Sequence, residues 1–104
     1  MTDQLHLEIV NEPDATIVIA VGEIDMATGD QLVEVLTELC GEKGAVRVDL
    51  GQVSFMDSTG IKALVNAHRL SEERGCQLTI CNPTERLRRV LEVSGVDQVL
   101  NVTD

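Results

Sequence analysis

The sequence predicts an α/β domain on a mixed, mostly parallel sheet of four to five strands that opens with a hairpin. Three observations carry that prediction. Two apolar runs near the start are separated by the turn Asn11-Glu12-Pro13-Asp14. Runs of helical and strand period then alternate, which is the pattern of βαβ units. Glycines mark most of the changes between them. The 104 residues suit a single domain.

The elements follow in order. Leu5, Leu7 and Ile9 alternate with His6 and Glu8, which predicts a half-buried strand. Ala15 to Val21 is almost entirely apolar and rich in β-branched residues, which predicts a central strand covered on both faces. Gly22-Glu23-Ile24-Asp25 ends it. Leu32, Val35, Leu36 and Leu39 recur at helical spacing, and Gly41 or Gly44 closes that helix. Ala45 to Leu50 is a third strand, followed by a short crossing loop. From about Ser58 a second helix carries Ile61, Leu64 and Val65 on one face, with Ala63 and Ala67 beside them. Arg69 and Arg74 sit near its end, where the helix dipole favours cations, and Gly75 stops it. Gln77 to Cys81 is a fourth strand. Pro83-Thr84 opens a third helix with Leu87, Val90, Leu91 and Ser94 inward, stopped by Gly95. Gln98 to Val102 is a short last strand or an extended tail. Right-handed crossovers are expected throughout.

Composition narrows the function. The formal net charge is -10, from 18 acids against 8 bases. Such a surface repels nucleic-acid backbones and anionic membranes, so the expected partner is a protein. Phe55 is the lone aromatic residue, which argues against base stacking. No stretch approaches a membrane span and no charged-then-apolar leader opens the chain, so a cytoplasmic location is expected. Cys40, Cys76 and Cys81 form neither a disulfide framework nor a zinc spacing. They are expected to pack as small hydrophobes, with redox control as the competing reading.

The motif that carries chemistry is Asp57-Ser58-Thr59-Gly60-Ile61, at the start of the second helix. A nucleophile elbow would need glycines two residues either side of the serine, and Met56 fills one of those positions. His68 lies ten residues further along the same helix, about 15 Å away at helical rise, out of reach as a base. A phosphoaspartate site at Asp57 with Glu23 and Asp25 would want a late lysine, and residues 82–104 contain none. No phosphate-cradling or dinucleotide loop is present, and no cofactor is implied. Asp30, Glu34 and Glu38 form an acidic row at i,i+4 spacing, most simply a solvated face.

Asp57, Ser58 and Thr59 are all able to cap a helix, and a cap needs only one of them. Gly60 weakens a helix start and offers a surface without a side chain, where another backbone could approach. A phosphate on Ser58 would add about -1.5 to -2 charges beside Asp57. The helix dipole would tolerate it. A docked partner would not, so the modification is expected to spare the fold and abolish docking.

At these residues the chain resembles the STAS family, and within it the stand-alone bacterial anti-anti-sigma factors. The carrying residues are Gly22-Glu23-Ile24-Asp25-Met26-Ala27-Thr28, Val48-Asp49-Leu50 with Val53, and Phe55-Met56-Asp57-Ser58-Thr59-Gly60-Ile61. Pro83 and Arg89-Val90-Leu91 extend it weakly. The resemblance implies one STAS-like domain over residues 1–104, with three or more helices packed mainly on one face of the sheet. It implies no catalysis. It implies partner switching: the unphosphorylated antagonist binds an anti-sigma factor that is also a serine kinase, and a sigma factor is freed. Phosphorylation at Ser58 then releases the antagonist, and a phosphatase resets it. Asp25, Asp57, Ser58, Thr59 and Gly60 fall on the family's partner-binding positions. A monomer or weak dimer is expected. The competing reading is a constitutive STAS module in a larger complex, with Ser58 only a cap.

Overall fold

A computed structural model describes residues 5–103, at positions 42 and 43 for the backbone only. Residues 1–4 and 104 of the expected domain lie outside it. Five strands form one sheet in the order β1-β2-β3-β4-β5. They are β1 (His6–Asn11), β2 (Thr16–Ile24), β3 (Ala45–Met56), β4 (Gln77–Cys81) and β5 (Asn101–Thr103). β1 pairs antiparallel with β2, and the other neighbours are parallel. The helices are α1 (Gly29–Lys43), α2 (Ser58–Glu73) and α3 (Glu85–Ser94), with a 3₁₀ turn at Val96–Gln98. Each helix links adjacent parallel strands that progress in one direction across the sheet. Right-handed crossovers therefore place all three on the same face.

The core sits between that helical layer and the sheet. Val18, Ala20, Val46, Val48, Leu50, Leu78 and Ile80 are buried from the strands. Leu32 and Leu36 of α1, Leu64 and Ala67 of α2, and Leu87 and Leu91 of α3 close over them. β2 departs from the sequence expectation. It is not covered on both faces: Thr16, Val18 and Ala20 are buried, but Ile17, Ile19 and Val21 are only half-buried on the helix-free face. The β-branched run made that strand look symmetrical. Helices stacked on one side leave its other side to solvent.

β3 is longer than its sequence suggests, running to Met56 rather than stopping at Leu50. The reason is two irregularities in its pairing with β2. Ile19 pairs Asp49 but Val21 pairs Gln52, and Gly22 pairs Val53 but Glu23 pairs Phe55. Each inserts one extra residue into β3 and flips the alternation. The buried set accordingly shifts from Val46, Val48 and Leu50 to Val53 and then to Met56. A strict period-two reading sees that as the end of a strand.

Helix ends follow the local chemistry. Gly44, not Gly41, supplies the left-handed residue beyond α1, at φ 77°. Thr84 caps α3 by accepting from Leu87 N at 3.2 Å, and Gly95 ends it at φ 81°. Ser94 is exposed rather than inward; its hydroxyl donates to Val90 O at 2.9 Å. Val96 and Val102 pack against the core from the last segment.

The cysteines also depart from expectation. Cys40 and Cys76 are buried, as predicted for small apolar side chains, but they are bonded to each other across 36 positions with Cα atoms 5.5 Å apart. The bond joins the last turns of α1 to the residue that follows the α2 stop. Neither cysteine has a partner nearby in sequence, so spacing gave no sign of the pairing. Cys81 is free and half-buried on the open sheet face. Burial pushes its thiol pKa up, Asp49 adds to the rise and Arg47 opposes it.

Candidate functional site

The site is built where β2 and β3 end side by side. In open parallel sheets, the carboxyl ends of strands are where loops converge on ligands and partners. Ile24 pairs with Met56 at the last rung, and Asp57 N donates to Ile24 O at 3.3 Å just beyond it. The two connections into α1 and α2 therefore leave the sheet as neighbours.

Residues 25–28 fold on themselves. Asp25 Oδ1 accepts from Ala27 N at 3.0 Å and from Thr28 N at 3.2 Å. Asp25 N donates to Thr28 Oγ1 at 2.9 Å, and that hydroxyl lies 2.9 Å from Glu23 O. Gly29 N closes the turn on Asp25 O at 2.8 Å. An aspartate suits this turn because its short carboxylate reaches amides two and three residues ahead. The closed turn projects Met26 outward, 77 % exposed.

The second connection assigns the three capping candidates. Asp57 is the N-cap of α2, extended at φ -101°, and its Oδ1 accepts from Thr59 N at 2.9 Å and Gly60 N at 3.0 Å. Thr59 is half-buried. Ser58 is exposed in the first turn, and none of the hydrogen bonds among the described residues uses its hydroxyl. The carboxylate thus does the capping, and the serine is left over.

Gly60 has a different role from the one its exposure in a motif suggested. It is buried, and a Cβ there would sit 2.5 Å from Ile24 O and 2.6 Å from Met56 Cγ. The backbone that approaches Gly60 is this chain's own. The glycine seats the first turn of α2 on the β2–β3 ends and so fixes where Ser58 projects. Gly29 does the same for α1 against α2: a Cβ on it would meet Ala63 Cβ at 3.3 Å.

Phe55 and Met26 are the two residues that motif reasoning passed over as part of a surface. Phe55 is 48 % exposed because the second irregularity of β3 turns it out with Ser54. A lone aromatic beside a capping motif was the available signal. The acidic row of α1, Asp30, Glu34 and Glu38, is exposed, as expected of a solvated face. His68 is buried in α2, with Nε2 3.5 Å from Glu72 Oε2, and borders the core as the sequence suggests. The arrangement offers Ser58 as an exposed hydroxyl at a helix N-terminus, at the same end of the sheet as the exposed Met26 and Phe55.

Comparison with known proteins places this architecture. The STAS domain model matches residues 6–104. The chain belongs to the STAS family. This STAS domain is 33 % identical over 93 residues to the anti-sigma-B factor antagonist of Bacillus subtilis (strain 168), covering 89 % of this chain and 84 % of that protein. The anti-sigma-B factor antagonist of a Listeria monocytogenes strain is 34 % identical over 82 residues, 78 % of this chain and 72 % of that one. Among solved structures, an anti-sigma factor antagonist from Mycobacterium paratuberculosis superposes with a TM-score of 0.82 at 21 % identity, over 95 % of this chain and 85 % of that chain. The unphosphorylated form of the antagonist SpoIIAA gives 0.69 at 20 % identity, over 96 % of this chain and 87 % of that one. At those identities the structures speak for the STAS fold.

Proposed function

We propose that this STAS domain is an anti-sigma factor antagonist that works by partner switching. Its unphosphorylated form binds an anti-sigma factor of the serine-kinase type and frees a sigma factor. Phosphorylation of Ser58 releases it, and a separate phosphatase restores the binding form. The domain is then a substrate and binding regulator in the cytoplasm, not a catalyst. The relatives named anti-sigma-B factor antagonists support this reading. The observation that carries it is the division of labour at the start of α2. Asp57 holds the cap while Ser58 stays exposed, its hydroxyl without a hydrogen bond among the described residues. The reading of Ser58 as a mere cap loses its support.

The physics of the switch follows from the same geometry. Two of the amides that would welcome an anion at a helix start are already engaged: Asp57 Oδ1 takes those of Thr59 and Gly60. A phosphate on Ser58 therefore meets the Asp57 carboxylate, with the helix dipole rather than those amides to offset it. It stays hydrated, pointing away from the fold. The docking floor is Asp25, Met26, Phe55, Asp57, Ser58 and Thr59, with Gly60 underneath as its seat. Met26 and Phe55 provide apolar area that a partner can dry, worth about 25 cal/mol per Å². A dianionic phosphate amid that area opposes its drying.

The test is direct binding of the cognate anti-sigma factor to wild type, Ser58→Ala and Ser58→Asp. Wild type and Ser58→Ala are expected to bind alike before kinase action, and Ser58→Ala to stay bound in the presence of ATP. Ser58→Asp is expected to lose binding. Equal affinity for Ser58→Asp, or an acid-labile phosphate in place of phosphoserine, defeats the proposal.

A further inference from the structure

A second surface lies next to the first, where α2 faces the 3₁₀ turn at Val96–Gln98 on one side and α3 on the other. Two hollows open there, of about 380 and 350 Å³, and they share Ile61. The first is walled by Ile61, Val65 and Val96, the second by Ile61, Val90 and Val93. Ile61 and Val65 are one turn apart on α2, and Val90 and Val93 one turn apart on α3. Each helix thus turns an apolar stripe toward the gap. Val93 is 82 % exposed and Ile61, Val65 and Val90 are only half-covered. Nothing within the described residues fills the groove.

The rim decides what fits. Lys62 and Arg69 line the first hollow, and Arg86 and Arg89 line the second. No acidic residue lines either one. All four cations are exposed, and none takes part in an ion pair among the described residues. The whole chain has 8 Lys and Arg against 18 acids. Half of its cations therefore surround one apolar groove on an otherwise acidic protein. Random placement of solubilising charge does not explain such sorting, since dispersed signs serve solubility better.

We infer that the α2–α3 groove docks an acidic amphipathic helix of a partner protein, apolar face down and carboxylates on the Lys62, Arg69, Arg86 and Arg89 rim. A groove between helices takes a helix through anchors at i, i+3, i+4 and i+7. The spacing of Ile61 and Val65 against Val90 and Val93 offers matching holes. The cations would select acidic over basic helices and speed encounter, whereas the rest of this surface repels acidic partners. The inference rests on the proposed function only for which protein carries the helix. It needs no phosphate, because Ser58 lies outside the groove lining.

The experiment uses the full chain and two synthetic peptides of about 18 residues, ~27 Å as helices. Both place leucines at helical spacing; the remaining positions are glutamate in one and lysine in the other. Binding is followed by fluorescence anisotropy and by amide shifts in the isotopically labelled protein. The glutamate peptide is expected to bind, to shift Ile61, Val65, Val90 and Val93, and to weaken as salt is raised. The double variant Arg86→Glu/Arg89→Glu is expected to lose about tenfold in affinity for it, and its dispersed amide spectrum shows that it folds. Failure of the glutamate peptide to bind overturns the inference, as does equal binding of the lysine peptide or shifts confined to other surfaces. Ser58→Asp should bind the glutamate peptide as wild type does. The groove and the phospho-switch can therefore fail separately.

Discussion

The two ends of α2 are held in opposite ways. At its N-terminal end the contacts are a carboxylate cap and a close backbone approach: Asp57 Oδ1 on Thr59 N and Gly60 N, and Gly60 against Ile24 and Met56. At its C-terminal end the hold is partly covalent. Cys76, just past the Gly75 stop, is bonded to Cys40 of α1, and Arg74 Nη1 donates to Thr37 O at 2.9 Å. The exposed, chemically open end is thus the one fixed by packing and caps. The closed end is cross-linked. The difference teaches that α1 and α2 are joined at the end far from Ser58, by Arg74 on Thr37 O and, under oxidising conditions, by the Cys40–Cys76 bond, so charge changes at Ser58 away from that pin.

The first way to break this comparison is to cut the pin. A cross-link closing a chain separation of 36 restricts the unfolded chain by about 4 kcal/mol in the chain-entropy account. Reduction, or Cys40→Ala with Cys76→Ala, is expected to lower unfolding free energy by about 2–4 kcal/mol. Denaturant melts with and without reductant measure it, and the double variant should be indifferent to reductant. Partner binding at the Ser58 end should be retained in the reduced protein below its melting range. Loss of binding there would show that the two ends are coupled.

The second is to crowd the open end from beneath. Gly60→Ala forces a methyl to within 2.5 Å of Ile24 O, a backbone atom that cannot move aside alone. Overpacking of this kind costs about 1–3 kcal/mol. The substitution also tilts the first turn of α2, so binding should fall together with stability. A Gly60→Ala protein with wild-type stability would mean that α2 is not seated on the β2–β3 ends.

Third is the cap itself. Asp57→Ala leaves the amides of Thr59 and Gly60 without their acceptor, at a cost of about 1 kcal/mol. It also removes the charge that faces the Ser58 phosphate. Phosphoserine at 58 could then accept those amides, so phosphorylation is expected to stabilise Asp57→Ala and to leave wild type nearly unchanged. Thermal melts of both proteins before and after phosphorylation compare the two.

Much of this was legible from residues alone, and the misses have physical causes. Hairpin, crossovers and helix stops could be placed because apolar period and glycine position are local signals. The one-sided cover of β2 could not, because Ile17, Ile19 and Val21 are as apolar as the buried residues between them. The true length of β3 was hidden by its irregular pairing, which no residue type announces. At the site, the motif pointed to Ser58 and Asp25, and the structure puts both in the connections that leave the β2–β3 ends. It left the cap unassigned among Asp57, Ser58 and Thr59, since all three have the same chemistry and only geometry separates them. Gly60 was misjudged because a glycine under a helix and a glycine facing a partner look alike in sequence. The Cys40–Cys76 bond joins distant elements, and pairing across 36 positions leaves no local trace.

The smallest expected effect is the most discriminating. Ser58 makes no hydrogen bond through its hydroxyl among the described residues, so Ser58→Ala removes nothing the fold uses. Ser58→Asp places a negative charge in the first turn of α2, where the helix dipole favours it by about 0.3–1 kcal/mol. The neighbouring Asp57 carboxylate opposes it by a comparable amount at this exposed position. The two terms offset, and the stability of Ser58→Asp is expected to match wild type within about 0.5 kcal/mol, the usual range for surface changes. Raising salt should leave that match in place, because it screens both terms together. A loss of more than about 1.5 kcal/mol would mean that Ser58→Asp releases its partner by unfolding the open end, not by spoiling a docked surface. The contrast between a pinned end and an end free to change charge would then fail at the residue on which it depends.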